Sequence, residues 1–252
     1  MEAFGTSAEY DDTVRVVSLV PSLTELVWEL SPQAVVGRTR FCTEPEAVRM
    51  VPAVGGTKNP EIAAIAALGP DLVIANREEN RREDVEALRL AGLDVLVTDP
   101  NTVEQAMGVL VEIATRLEVP ERGWEIARET TSVLREPLPE RRLRVFAAVW
   151  QDPLMGLGSE SYGHDVIERC GASNVLAGRP RYPEVTLDEV ARLAPELILL
   201  PDEPFPFKEK HLEVYEAVAP VRLIDGKLLW WYGPRMAESM RILRRMFGEA
   251  SR

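Results

Sequence analysis

The chain has 252 residues, room for one large domain or for two lobes of about 110–120 residues. Its 46% apolar and 28% charged residues are those of a globular protein and exclude intrinsic disorder, collagen and coiled coil as the main class. Lys and Arg number 29 against 41 Asp and Glu, a net charge of −12 that repels phosphate backbones and anionic lipid. No basic run exceeds Arg81-Arg82 or Arg244-Arg245, so nucleic acid is not an expected partner.

The first twelve residues, Met1 to Asp12, are acidic and polar. They lack the basic and apolar regions of a secretory signal, and no apolar run approaches the length of a membrane span. As written, the chain is expected in the cytoplasm; the alternative is a periplasmic or lipid-anchored protein whose signal has been removed.

Strand patterns follow at Val14–Leu19, Leu72–Ala75 and Val95–Thr98 in the first half. Leu143–Trp150, Leu197–Leu200 and Val221–Ile224 repeat them in the second. Continuous apolar runs of this length suit strands buried on both faces, as in parallel sheets. Helical spacing of apolar residues marks Ser22–Leu30, Glu61–Leu68, Arg82–Leu90 and Val103–Leu117. Strands alternating with helices give βαβ units. Pro120–Arg135 then reads as one long helix, with Trp124, Ala127, Thr131 and Leu134 on one face and Pro137 and Pro139 beyond its end.

The halves repeat each other. Ile65-Ala-Ala-Leu-Gly-Pro-Asp-Leu-Val-Ile74 matches Val190-Ala-Arg-Leu-Ala-Pro-Glu-Leu-Ile-Leu199, an offset of 190 − 65 = 125. Asn59-Pro60 reads as a helix cap with Pro at the first position, and Thr186-Leu-Asp-Glu189 as a capping box. These caps are offset by 127, which would make the first-half helix two residues longer. The expected fold is α/β: two Rossmann-like parallel-sheet lobes, residues 1–118 and 139–252, bridged by one helix within 119–138, with a ligand cleft between the lobes. A helix in place of a flexible linker predicts little hinge motion.

Ligands of open parallel sheets bind outside the carboxyl ends of the strands. The loops expected there carry Ser22, Arg40, Phe41, Asn76 and Arg77 in the first lobe. In the second they carry Trp150, Tyr182, Phe205, Phe207, Trp230, Trp231, Tyr232 and Arg235. Aromatic rings gathered on several such loops suit a large, flat, partly apolar ligand held by stacking, and the arginines, Arg181 among them, suit its carboxylates or phosphates. Each of these residues is equally at home in a core or on an ordinary solvated surface.

Two cysteines, Cys42 and Cys170, and two histidines, His164 and His211, are too few for a Cys₄ or His₃ metal centre. Both cysteines suit simple packing. His164, at a predicted helix start, is the single weak candidate for ligating a metal; His211, in a charged helix, is expected in solvent. No phosphate-binding loop, nucleophile elbow or CxxC is present, and Gly156–Gly163 departs from the dinucleotide fingerprint. An enzyme on this scaffold finds support only in Cys42, His164 and Asp165 lying near predicted loops.

Five segments carry a family resemblance: Arg15–Glu25, Val54–Asn59, Leu68–Ile74, Tyr182–Val190 and Trp231–Arg235. The chain resembles the helical-backbone (class III) substrate-binding proteins that serve ABC importers, and within them the cobalamin-binding branch. That resemblance implies a non-enzymatic monomer that needs no cofactor. Its ligand would be cobalamin or another metal chelate such as haem or a ferric siderophore, delivered to an ABC permease. It also implies a carboxylate on each lobe docking on permease arginines, which by cap alignment are Glu61 and Asp188. Where the branch has a stacking Trp, this sequence has Tyr182. A cytoplasmic binding or sensing protein with no permease is the alternative.

Overall fold

A computed structural model describes residues 13–251; the acidic start read from Met1 to Asp12 lies outside them. The chain forms two compact units. The first holds residues 13–97 and 116–119, the second 98–115 and 120–251.

The first unit has strands β1 (Val16–Ser18), β2 (Val35–Arg38), a small antiparallel pair β3 (Gly55–Gly56) and β4 (Asn59–Pro60), then β5 (Leu72–Asn76) and β6 (Val95–Thr98). Helices α1 (Pro21–Leu30), α2 (Ile62–Ala67) and α3 (Arg82–Leu90) connect them. The sheet order is β2-β1-β5-β6, and β1 runs parallel to both neighbours. Val17, Val73, Ala75 and Val95 from the strands and Leu19 just beyond β1 pack with Ile65, Val85 and Leu88 from the helices into one core. Burying each of the Val, Leu and Ile side chains contributes roughly 1.5–3 kcal/mol.

The second unit takes α4 (Val103–Arg116) and α5 (Pro120–Arg135), then β7 (Leu143–Gln151), β8 (Leu154–Gly156), α6 (Tyr162–Arg169) and β9 (Ala172–Asn174). It continues through α7 (Leu187–Arg192), β10 (Leu197–Pro201), α8 (Leu212–Glu216), β11 (Val221–Ile224), α9 (Lys227–Trp230) and α10 (Met236–Ala250). The order is β11-β10-β7-β8, with β9 also on β7. All these pairs are parallel except β7 with β8, which folds back antiparallel after Gln151.

The six strands and five helices expected from apolar runs all form, within one or two residues at their ends. The runs missed β2, β8 and β9, which have only three or four residues each. In β2, Gly37 is closely packed: a Cβ there would stand 2.7 Å from Leu68 Cδ1, which would have to shift. Arg38 is buried at the end of β2, where its guanidinium donates to the carbonyls of Val48, Thr39 and Arg49.

The buried face of α5 differs from the expected one. Gly123, Ile126, Ala127, Thr130 and Val133 point inward, and Trp124 is 53% exposed. Close helix contact explains the rotation, since a Cβ on Gly123 would lie 2.5 Å from Ala114 Cβ of α4. Arg241 of α10 reaches Glu129 of α5 at 2.8 Å.

The internal repeat is tighter than the sequence implied. Asn59-Pro60 belongs to β4, so α2 is capped by Glu61, without a side-chain capping bond. Thr186 caps α7 through both bonds of its capping box. The caps are therefore offset by 186 − 61 = 125, and both helices have six residues. At their ends Gly69 and Ala194 both adopt positive φ, +56° and +47°. Arg15 donates to the carbonyls of Leu68 and Gly69, and its own N–H meets Asp71. Arg144 does the same with Leu193, Ala194 and Glu196.

Candidate functional site

The carboxyl ends of the strands carry most of the expected binding residues, and each unit has its own set. In the first unit Ser22 is buried in the first turn of α1. Asn76 ends β5 and is also buried; its Oδ1 accepts the N–H groups of Glu78 and Glu79. Asn80, which the sequence reading passed over, ties three segments together. Its Oδ1 accepts from the Asn76 N–H at 2.8 Å, and its Nδ2 donates to Thr57 O at 2.9 Å and, more weakly, to Leu19 O at 3.5 Å. Arg77 is exposed on the same loop.

Arg40 and Phe41 form the open part of this set. Phe41 is 53% exposed, with the Arg40 guanidinium 5.1 Å from its ring centroid. Both lie against Gly56, where a Cβ would meet Arg40 Nη2 and Phe41 Cε2 at 3.3 Å. The pair is a ring and a cation presented together, a combination that suits a flat ligand with anionic substituents.

In the second unit the aromatic residues sort by depth. Trp150 is 41% exposed, and its indole N–H is held by Asp152 O. Phe205 meets Trp150 edge-on at 5.4 Å and stands 4.7 Å from Phe207. Tyr182 and Trp230 are half-buried, while Phe207, Trp231 and Tyr232 are buried. Phe207 is committed to the core through Tyr215, whose hydroxyl donates to Gln151 Oε1. Tyr232 shares a hydrogen bond with Thr98 at 2.8 Å and packs on Tyr162 at 5.6 Å. Three of the rings expected on a ligand surface thus serve packing first. The sequence could not separate them from Trp150, because loop position says nothing of depth.

Trp231 has a charged surround. Lys227 and Arg235, the residue before α10, lie 5.2 and 5.0 Å from its ring centroid. Burial pushes the carboxyl pKa of Glu203, in the loop after β10, up to about 7. Glu203 escaped the sequence reading; its only sequence signal is an acid inside the Pro- and Phe-rich loop 201–207. Arg181 is engaged by Asn101 Oδ1 and Glu160 O, both at 2.9 Å.

The histidines and cysteines are built into the structure. Asn174 Nδ2 donates to His164 Nδ1 at 3.1 Å, and that amide is oriented by Leu157 O and the Leu176 N–H. His211 does not stand in solvent as expected. It ends a 3₁₀ turn, packs edge-on to Phe205 and Phe207, and accepts the Lys208 N–H at Nδ1. Cys42 is buried between the hydroxyls of Thr24 and Thr39, and burial pushes its thiol pKa up. Burial pushes the Cys170 thiol up to about 12. Asp165, the third residue in the enzyme reading, accepts the Val103 N–H at the start of α4. Among the described residues no group of three or more His, Cys, Asp or Glu could hold a metal ion. No described helix is long and apolar enough to cross a membrane.

Residues 16–219 match the periplasmic binding protein family. The chain belongs to that family. Its members are substrate-binding proteins rather than enzymes. The chain is 30% identical to the vitamin B12-binding protein of Salmonella typhi over 193 residues, 74% of this chain and 71% of the relative. It is 26% identical to that of Yersinia pestis (strain Pestoides F), over 74% and 69% of the two chains. Among solved structures it resembles the periplasmic vitamin B12 binding protein BtuF of Vibrio cholerae, with a TM-score of 0.79, 19% identity and coverage of 95% and 98%. The periplasmic haem-binding protein BhuT in complex with two haems gives 0.81 at 23% identity, covering 94% and 98%. At such identities these structures speak for the fold, a bilobal α/β binding protein.

Proposed function

We propose that the chain is the substrate-binding component of an ABC-type importer and that its ligand is a corrinoid. The observation that carries this reading is the 30% identity to a vitamin B12-binding protein across three quarters of the chain. Loops at the strand ends of each unit supply the contacts. Phe41 in the first unit and Trp150 in the second are the candidate stacking surfaces, Phe205 packs on Trp150, and Tyr182, Trp230, Arg40, Arg77 and Arg235 are the further candidate contacts. The family and the solved neighbours are periplasmic, which favours a periplasmic location over the cytoplasmic one.

The histidines favour a corrinoid over haem. A metal-binding histidine commonly donates one ring N–H to a neighbour and offers the other nitrogen to the metal. Here both rings accept at Nδ1, so the proton sits on Nε2 and neither nitrogen is open. A ligand whose metal brings its own axial donors needs no such nitrogen.

Glu61 and Asp188 are the docking carboxylates of this reading. Both are exposed. Glu61 caps α2 and Asp188 is the second residue of α7, so by the 125-residue repeat they are two positions out of register. Calorimetric titration with cyanocobalamin, cobinamide, ferric haem and ferric siderophores tests the proposal. It expects saturable one-site binding of the corrinoids; binding of haem alone would replace it with a haem carrier.

A further inference from the structure

In the second unit Tyr182 stands on a short ribbon made of two loops. One, residues 157–160, precedes α6; the other, residues 179–183, precedes α7. Their main chains are laced together. The Gly158 N–H donates to Arg181 O at 2.7 Å, the Arg181 N–H to Ser159 O at 2.6 Å and the Ser159 N–H to Arg179 O at 2.8 Å. A Cβ on Gly158 would run into Arg179 O, a main-chain atom. Glu160 and Arg181 each hold a φ of +58°, a left-handed backbone that residues other than glycine rarely adopt. Such a conformation persists only where its surroundings hold it. The Arg181 guanidinium supplies that hold. Its Nη1 donates to Glu160 O and to Asn101 Oδ1, both at 2.9 Å, and its Nη2 lies 3.8 Å from Asp99 Oδ1. One side chain therefore ties the two left-handed residues to each other and to a segment eighty positions earlier.

We propose that Arg181 is the positioning residue of Tyr182, and that it sets ligand affinity through the ring beside it rather than by pairing with an anionic group of the ligand. Pro180 and Pro183 flank the pair, and each fixes its own φ. The freedom left in the stretch sits at Arg181 and Tyr182, and the guanidinium removes the share at Arg181. Its fork already meets a carbonyl, an amide oxygen and a carboxylate. Turning it toward a ligand anion would break these bonds and release the turn that carries Tyr182. The Tyr182 ring is half-buried, and a ring held in place beforehand loses little freedom when a flat ligand stacks on it.

The effect on affinity rests on the proposed function; the clamp itself does not. Calorimetric titration of the full chain with cyanocobalamin tests the first. Arg181→Gln and Asn101→Ala are each expected to weaken binding about fivefold, the size of a lost aromatic contact. Asn101→Asp keeps an oxygen facing the guanidinium and should bind as the unsubstituted chain does. In a Tyr182→Ala background neither Arg181→Gln nor Asn101→Ala should weaken binding further. Full affinity in Asn101→Ala overturns the proposal, and so does an Arg181→Gln loss that persists undiminished without the Tyr182 ring. Hydrogen exchange of the ligand-free protein tests the clamp. The amides of Gly158 and Arg181 should lose protection in Arg181→Gln and in Asn101→Ala, while the Ile198 amide of β10 keeps its own. Unchanged exchange at Gly158 and Arg181 overturns the proposal as well. If the unsubstituted chain takes up no cyanocobalamin, the proposed ligand falls and the exchange result alone decides the clamp.

Discussion

Arg15 and Arg144 make the same bonds in the two units. Each runs beside the end of a six-residue helix, donates to its last carbonyls, and lends its own N–H to the acid that opens the next strand. A cation at a helix C-terminus also opposes the helix dipole. Replacing either arginine with Ala is expected to cost about 1 kcal/mol, since both are solvent-exposed. Urea unfolding checks this, and the two costs should add because the residues belong to different compact units.

Exposed and buried aromatics should separate cleanly. Phe41→Ala and Trp150→Ala are expected to weaken cyanocobalamin binding by about 1 kcal/mol each, roughly fivefold, with the melting temperature unchanged. Trp231→Ala should instead lower stability, by about 3 kcal/mol, because the ring is only 8% exposed and organises charged neighbours. Calorimetry and thermal melts on the three variants distinguish the roles.

Stability should fall as pH rises toward and beyond 7. Glu203 has a folded pKa of about 7, above its ordinary value of 4.5. A raised carboxyl pKa means the fold binds the proton more tightly than the unfolded chain does. That contribution is complete below about pH 4.5 and is lost as pH climbs through 7, a difference on the order of 3 kcal/mol. Urea midpoints at pH 5, 6, 7 and 8 should decline in the unsubstituted protein and flatten in Glu203→Gln.

Haem supplies a negative control. If ferric haem associates at all, His164→Ala and His211→Ala should leave its absorption spectrum unchanged, because neither imidazole offers a bare nitrogen. A Soret band that moves in either variant would return histidine ligation to consideration.

Docking is separable from binding. Glu61→Lys and Asp188→Lys are expected to leave the cyanocobalamin affinity unchanged. Each should reduce corrinoid-dependent growth of a strain that relies on this protein for uptake. Unchanged growth would leave both as ordinary helix-terminal acids.

The fold was legible where apolar runs were long. Leu197–Pro201 and Leu72–Asn76 announced themselves because strands buried on both faces need nearly unbroken apolar residues. Val35–Arg38 did not, since its Gly37 and its buried Arg38 break that pattern for reasons lying elsewhere in the chain. Asn59-Pro60 imitated a helix cap because a strand and a cap share an extended backbone, and only the pairing with Gly55-Gly56 distinguishes them. Among binding candidates, chain position was legible and depth was not. Phe205 and Phe207 are two residues apart, yet one lies half-buried and the other in the core. Glu203 and Asn80 were invisible because the contacts that tie each to another loop, Trp230 for Glu203 and Thr57 for Asn80, lie more than twenty residues away.

The path of the chain also constrains how the molecule can be divided. It leaves the first unit after Val97, returns for Arg116–Val119, and leaves again at Pro120. No single cut yields both units whole. On the ribosome, residues 98–115 of the second unit emerge before the last four residues of the first and before α5, against which Ala114 of α4 packs. Completing the first unit therefore requires that a piece of the second already be made, so the two are inherited, truncated and circularly permuted as one object rather than as a pair.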